Sequence, residues 1–78
     1  MLKEYLVEIC LQDWSDRIKL KSRTIDYVEV VAETEDSAKL IAFKQFMDKT
    51  KYSPIARRKW DRIGLWYNEV KCGDIVEI

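Results

Sequence analysis

Thr24-Ile-Asp-Tyr-Val-Glu-Val-Val-Ala-Glu-Thr-Glu-Asp-Ser-Ala-Lys-Leu-Ile-Ala-Phe-Lys-Gln-Phe46 decides the fold, because its pattern changes partway along. Up to Ala32 the run is β-branched and aromatic, as a pleated, half-buried strand favours. Thr34 then fits a helix N-cap, and Glu35 and Asp36 place negative charge where the helix dipole favours it. The reading is a strand over Thr24 to Ala32 and a helix from about Glu35 to about Asp48.

Successive residues of that helix turn by about 100°. Ala38, Ile41, Ala42 and Phe46 therefore share one stripe, Leu40 and Met47 lie nearly opposite, and Phe43 falls between. This apolar arc is wider than packing on one sheet needs. Two explanations are open: the C-terminal segment covers the second stripe, or the stripe receives a partner or a second copy in a homodimer.

Towards the N-terminus, Glu4 to Leu11 alternates. Tyr5, Val7, Ile9 and Leu11 fall on one face of a strand, with Glu4, Glu8 and Cys10 on the other. Gln12 to Arg23 contains the turn formers Asp13, Ser15 and Asp16, then alternating apolar and basic residues from Arg17 to Lys21. It reads as a loop or as the outer end of the second strand. Too short for a crossover helix, the connection makes the two strands antiparallel.

Towards the C-terminus, Ser53-Pro54 resembles an N-cap followed by proline at the first helical position, and Gly64 fits the end of a short helix running to about Arg62. Leu65 to Val70 reads as a strand, and Lys71-Cys-Gly-Asp74 as a tight turn before Ile75 to Ile78, making a hairpin. A competing reading takes Ala56, Trp60, Ile63, Tyr67 and Val70 as one face of a longer helix capped near Gly73. The expected class is α+β: a small antiparallel sheet of three to four strands with one main helix on one face, with or without the short second helix.

With 78 residues, the chain has room for one core, so residues 1–78 read as a single domain. Hydrophobic residues at 47% and only two Gly and one Pro argue against disorder. Fourteen Lys and Arg balance fourteen Asp and Glu, so no net field draws the whole molecule to nucleic acid or an anionic membrane. Lys3, Glu4 and Glu8 interrupt the N-terminal run, so neither a signal peptide nor a membrane span is expected, and the expected setting is cytoplasmic. Cys10 and Cys72 lack metal or redox spacing and are expected to be reduced and structural.

The chain has no histidine, which removes the commonest general base and metal ligand together. Its glycines, Gly64 and Gly73, are too sparse for a phosphate loop. Glu8 and Glu29 are candidates to meet across neighbouring strands and share a raised pKa, against the plainer alternative of solvated acids on a strand face. No catalytic, cofactor or metal residue is assigned, and the chain is expected to be non-enzymatic.

The segment Lys49 to Arg62 carries six basic residues against Asp61, with Tyr52 and Trp60 interleaved. Arginine forks grip phosphate or carboxylate, and an exposed aromatic ring stacks on a base or anchors an interface. Lys51, Arg57, Arg58, Lys59, Trp60 and Arg62 are therefore the candidate interaction surface, and Arg17, Lys19, Lys21 and Arg23 a second basic stretch that extends it. The alternative is a solvated charge run with Trp60 in the core. Trp14, Trp60 and Trp66 are many for so small a core, so at least one is expected to be partly exposed.

Val28-Glu-Val-Val-Ala-Glu-Thr-Glu-Asp-Ser-Ala-Lys-Leu-Ile-Ala-Phe43 resembles a strand-to-helix junction recurring in small phage and mobile-element proteins, V-x-V-x-A-x-[ST]-x-x-x-A-x-x-x-A. Some anti-CRISPR proteins of strand-strand-helix-strand layout are similar in this respect. The resemblance implies a stoichiometric inhibitor of a host defence complex and brings no functional residue with it. The expectation is an interaction module for a protein or ribonucleoprotein partner, with direct nucleic-acid binding through the basic, aromatic surface as the alternative.

Overall fold

In the computed structural model, residues 1–62 and 64–78 are described, with every side chain among them except those of Arg57 and Asp61. The elements are β1 (Lys3–Ser15), β2 (Ile18–Ala32), α1 (Glu35–Thr50), β3 (Ile55–Asp61) and β4 (Gly64–Glu77). They form one antiparallel sheet in the order β2-β1-β4-β3, with α1 on one face. The class is α+β, as the strand-to-helix switch at Thr34 indicates.

Gln12 to Arg23 is the paired outer end of the first two strands rather than a loop. The chain reverses at Asp16 and Arg17, with φ of 49° and 66°. Two central residues with positive φ match the right-handed twist of a hairpin, which lets so long a hairpin close on two residues. Asp13 and Ser15, turn formers by composition, stay in the strand, each more than nine-tenths buried.

The C-terminal half departs from the expectation. Among the described residues there is no second helix: after Pro54 the segment Ile55–Asp61 is a strand, whose backbone groups pair with β4 instead of within a turn of helix. The longer helix over Ala56 to Val70 is also excluded, although its member Ile63 lies outside the described residues. Nor does a hairpin form at residues 71–74, because β4 runs unbroken from Gly64 to Glu77. Both of its neighbours need that length: β4 pairs with β1 over almost all of β1, and with β3 at its start. Gly73 sits in a bulge opposite Glu8, and Gly64, at φ 111°, opens the strand after the β3–β4 turn.

Thr34 caps α1 by accepting the Ser37 N–H at 3.1 Å, and Lys51, in the left-handed region, ends it by donating its N–H to the Met47 carbonyl at 2.8 Å. Ala38, Ala42 and Phe46 pack on Tyr5, Val7, Ile9, Leu11, Val30, Ala32 and Val70. Phe43 and Met47 join this core at its margin. Leu40 is 74% exposed, so among the described residues the C-terminal segment does not serve as its cover.

A 16-residue helix is about 24 Å long, whereas the molecule extends 50 Å. The helix therefore covers one half of the sheet. It starts beyond Ala32, which pairs with Lys3, and the core ends near Leu11 and Val70. Beyond them the sheet continues for a further four residues of β1 to the two hairpin turns, with no helix on either face.

Candidate interaction surface

The uncovered end gathers residues that are distant in sequence. Trp14 on β1 pairs with Lys19 on β2 and with Tyr67 on β4, and Tyr67 pairs with Arg58 on β3. Side chains of directly opposed residues share a face, so Lys19, Trp14, Tyr67 and Arg58 form one row across all four strands. This row lies on the face away from α1, because Leu11 and Ile9, of opposite parity to Trp14, face the core. The Trp14 and Tyr67 rings are 6.5 Å apart, 17° from parallel, and half-buried. Lys19 and Arg58 at the two edges are exposed.

The neighbouring rung holds Trp60 opposite Leu65. Trp60 is 78% exposed, so it is neither in the core nor against the helix. A shallow groove of about 230 Å³ runs between Ile55, Arg58, Leu65 and Tyr67. On the other face, Lys59 pairs with Trp66 and holds its Nζ 4.4 Å from the ring centroid, a cation–π contact. All three tryptophans therefore lie at this one end.

The predicted basic residues distribute unevenly. Arg58, Lys59 and Trp60 lie on β3, and exposed Arg62 is in the adjoining turn. Arg57 is on the same strand, but its side chain lies outside the described residues. Lys51 ends the helix and is not in the row. The second stretch does not extend the first on one side: it occupies the opposite edge, β2. Of that stretch, Lys19 enters the row, Arg17 sits in the hairpin turn, Lys21 accepts the Gln12 side-chain amide on its carbonyl at 2.8 Å, and Arg23 lines a groove on the helix side with Tyr52 and Asn68.

Sequence reasoning missed Trp14 and Tyr67 as the members that join the two basic edges. Their signal was available in the period-2 alternation of β1, continued past Leu11, but the turn formers Asp13 and Ser15 masked it. The charges also segregate along the molecule. Glu4, Glu29, Glu33, Glu35, Asp36 and Glu77 lie towards the helix-covered end, where Lys3 and Glu77 form an ion pair at 3.5 Å. Zero net charge conceals a basic end and an acidic end.

Three buried side-chain atoms that find no hydrogen-bond partner among the described residues, Gln12 Oε1, Trp14 Nε1 and Ser15 Oγ, lie on this same stretch of β1. Beside them Asn68 donates to the Asp13 carboxylate.

The expected meeting of Glu8 and Glu29 across the strands does not occur. Glu8 lies opposite Tyr27 while Glu29 lies opposite Leu6, so the two do not pair. The Glu8 carboxyl is held below the usual range, not raised, by the Thr24 hydroxyl, then by the Asp74 N–H at 2.9 Å and the Cys10 thiol. Burial, followed by the hydrogen bond to Glu8, raises the Cys10 thiol, and burial raises that of Cys72. Among the described residues no three Cys, Asp or Glu converge as a metal would require. No helix among them is long and apolar enough to cross a membrane. Comparisons with protein families, curated proteins and solved structures returned no match to this chain.

Proposed function

We propose that the chain is a non-enzymatic interaction module that docks on a protein or ribonucleoprotein partner through the uncovered end of its sheet. The observation that supports this is the gathering of Arg17, Lys19, Lys21, Arg58, Lys59 and Arg62 with all three tryptophans on the half that the helix leaves bare. Exposed Trp, Tyr and Arg side chains at the centre of a patch are the residues that carry interface free energy. The likeness of residues 28–43 to the junction of small phage proteins supplies a setting. In it the module is a stoichiometric inhibitor, acting in the host cytoplasm on a bacterial defence complex of the CRISPR-Cas kind.

The test is capture from host lysate by tagged protein, comparing wild type with Arg58→Glu/Trp60→Ala at the bare end and Leu40→Gln on the helix. The reading requires a stoichiometric partner that is kept by Leu40→Gln and lost by Arg58→Glu/Trp60→Ala. A partner lost only with Leu40→Gln, or unaffected by either change, contradicts it.

A further inference from the structure

We infer that the row Lys19–Trp14–Tyr67–Arg58 is a platform for single-stranded nucleic acid, an assignment that rests on the interaction-module reading and names the partner's chemistry. Adjacent strands are about 4.8 Å apart, so the row spans about 14 Å of backbone from edge strand to edge strand. At its centre stand two nearly parallel, half-buried rings. Beside Tyr67 lies the open groove bounded by Arg58, Leu65 and Ile55, with Trp60 projecting from the next rung.

Each part matches a part of an unpaired strand. Aromatic side chains stack on bases of any identity, and flanking cations follow the phosphates. The row itself holds no carboxylate; Glu69, opposite Gln12, lies one rung towards the helix-covered end, and Asp16 lies in the β1–β2 turn beyond Trp14. An acidic peptide would use the cations but has no flat π surface to match the paired rings. A duplex would offer phosphates, but its bases are already stacked on one another and are not free to stack on the aromatic rings. The acidic far end of the molecule repels a polyanion and so confines the strand to the bare end.

The experiment titrates the full chain with fluorescein-labelled oligothymidylate and oligouridylate of about ten nucleotides, and with a duplex of equal length, following anisotropy and tryptophan fluorescence. Measurements at about 50 mM and about 200 mM salt give the phosphate count, with an expected slope of log K on log salt of about −1.4 to −2.8 for two to four phosphates. Tryptophan emission is quenched on binding, and the duplex binds at least about tenfold more weakly, since its bases are not free to stack. Lys19→Glu/Arg58→Glu, both exposed and so without effect on the thermal midpoint, weakens binding tenfold or more. Trp60→Ala weakens it about 5- to 100-fold.

Absence of single-strand binding at the lower salt overturns the inference, as does equal binding of duplex or indifference to Lys19→Glu/Arg58→Glu. If the oligonucleotides fail while nuclease-treated lysate still yields a partner that depends on Arg58 and Trp60, the partner is a protein: this inference falls and the module reading stands. If both fail, both fall.

Discussion

The Glu8 carboxylate fills the space in which a side chain at Gly73 would begin. A Cβ placed on Gly73 overlaps Glu8 Oε1 and comes within 2.6 Å of Cys10 Sγ. Glu8 would have to swing away and release the Asp74 N–H and the Thr24 hydroxyl. Gly73→Ala is therefore expected to lower the urea unfolding midpoint, chiefly through lost hydrogen bonds. In a double-mutant cycle with Glu8→Ala, followed by urea unfolding, the two losses fall short of additive because they remove the same contacts.

Glu8 also sets an acid dependence. Its folded pKa lies below the unfolded value, so its contribution to stability is present in full above the ordinary glutamate range and is lost as pH falls through the folded pKa. Unfolding midpoints measured from pH 7 downward should decline more shallowly in Glu8→Gln than in wild type. Parallel acid limbs would show that Glu8 is not held in this way.

The thiols make a separate prediction. Burial holds both above the ordinary cysteine range, which lowers the thiolate fraction, the reactive form. Near pH 8 Cys10, 5% exposed, is expected to react with an alkylating reagent much more slowly in the native protein than in urea, with Cys72 intermediate. Mass spectrometry after timed quenching resolves the two.

At the β1–β2 turn, Arg17 holds φ of 66°, a region that costs a non-glycine residue about 1 kcal/mol. Arg17→Gly gives the Asp-Gly pair that such a turn favours and is expected to raise stability by about 0.5–1 kcal/mol. Because Arg17 is outside the Lys19–Trp14–Tyr67–Arg58 row, binding should weaken only modestly. Thermal melts and the oligonucleotide titration separate the two effects.

The first half of the fold was legible because its signals were local: alternation in Tyr5 to Leu11, the cap at Thr34, and the stripe of Ala38, Ala42 and Phe46, from which Ile41, expected in it, is turned out to 37% exposure. The second half was not, because it is decided by partners distant in sequence. Ser53-Pro54 and Gly64 carry helix punctuation, yet β3 is a strand because β4 offers it an edge. Lys71 to Asp74 carries hairpin punctuation, yet β4 continues because β1 is long enough to pair along it, with Gly73 serving the close approach of Glu8. The candidate surface was legible as two basic stretches and a surplus of tryptophan. Its assembly was not, since the pairing of Trp14 with Tyr67 joins residues 53 positions apart through β4, the strand least clear in sequence.

The three tryptophans supply the most direct test that the bare end is the binding surface, since each indole N–H gives its own resonance in a proton–nitrogen correlation spectrum. Spectra of labelled protein would be recorded before and after saturation with the captured partner or oligonucleotide. The account predicts that the Trp14 and Trp60 indole resonances move or broaden, with backbone shifts at Lys19, Arg58 and Tyr67, while the Ala38 and Ala42 amides stay in place. Unmoved indoles with shifts concentrated along α1, around exposed Leu40, would place the interface on the helix and contradict it.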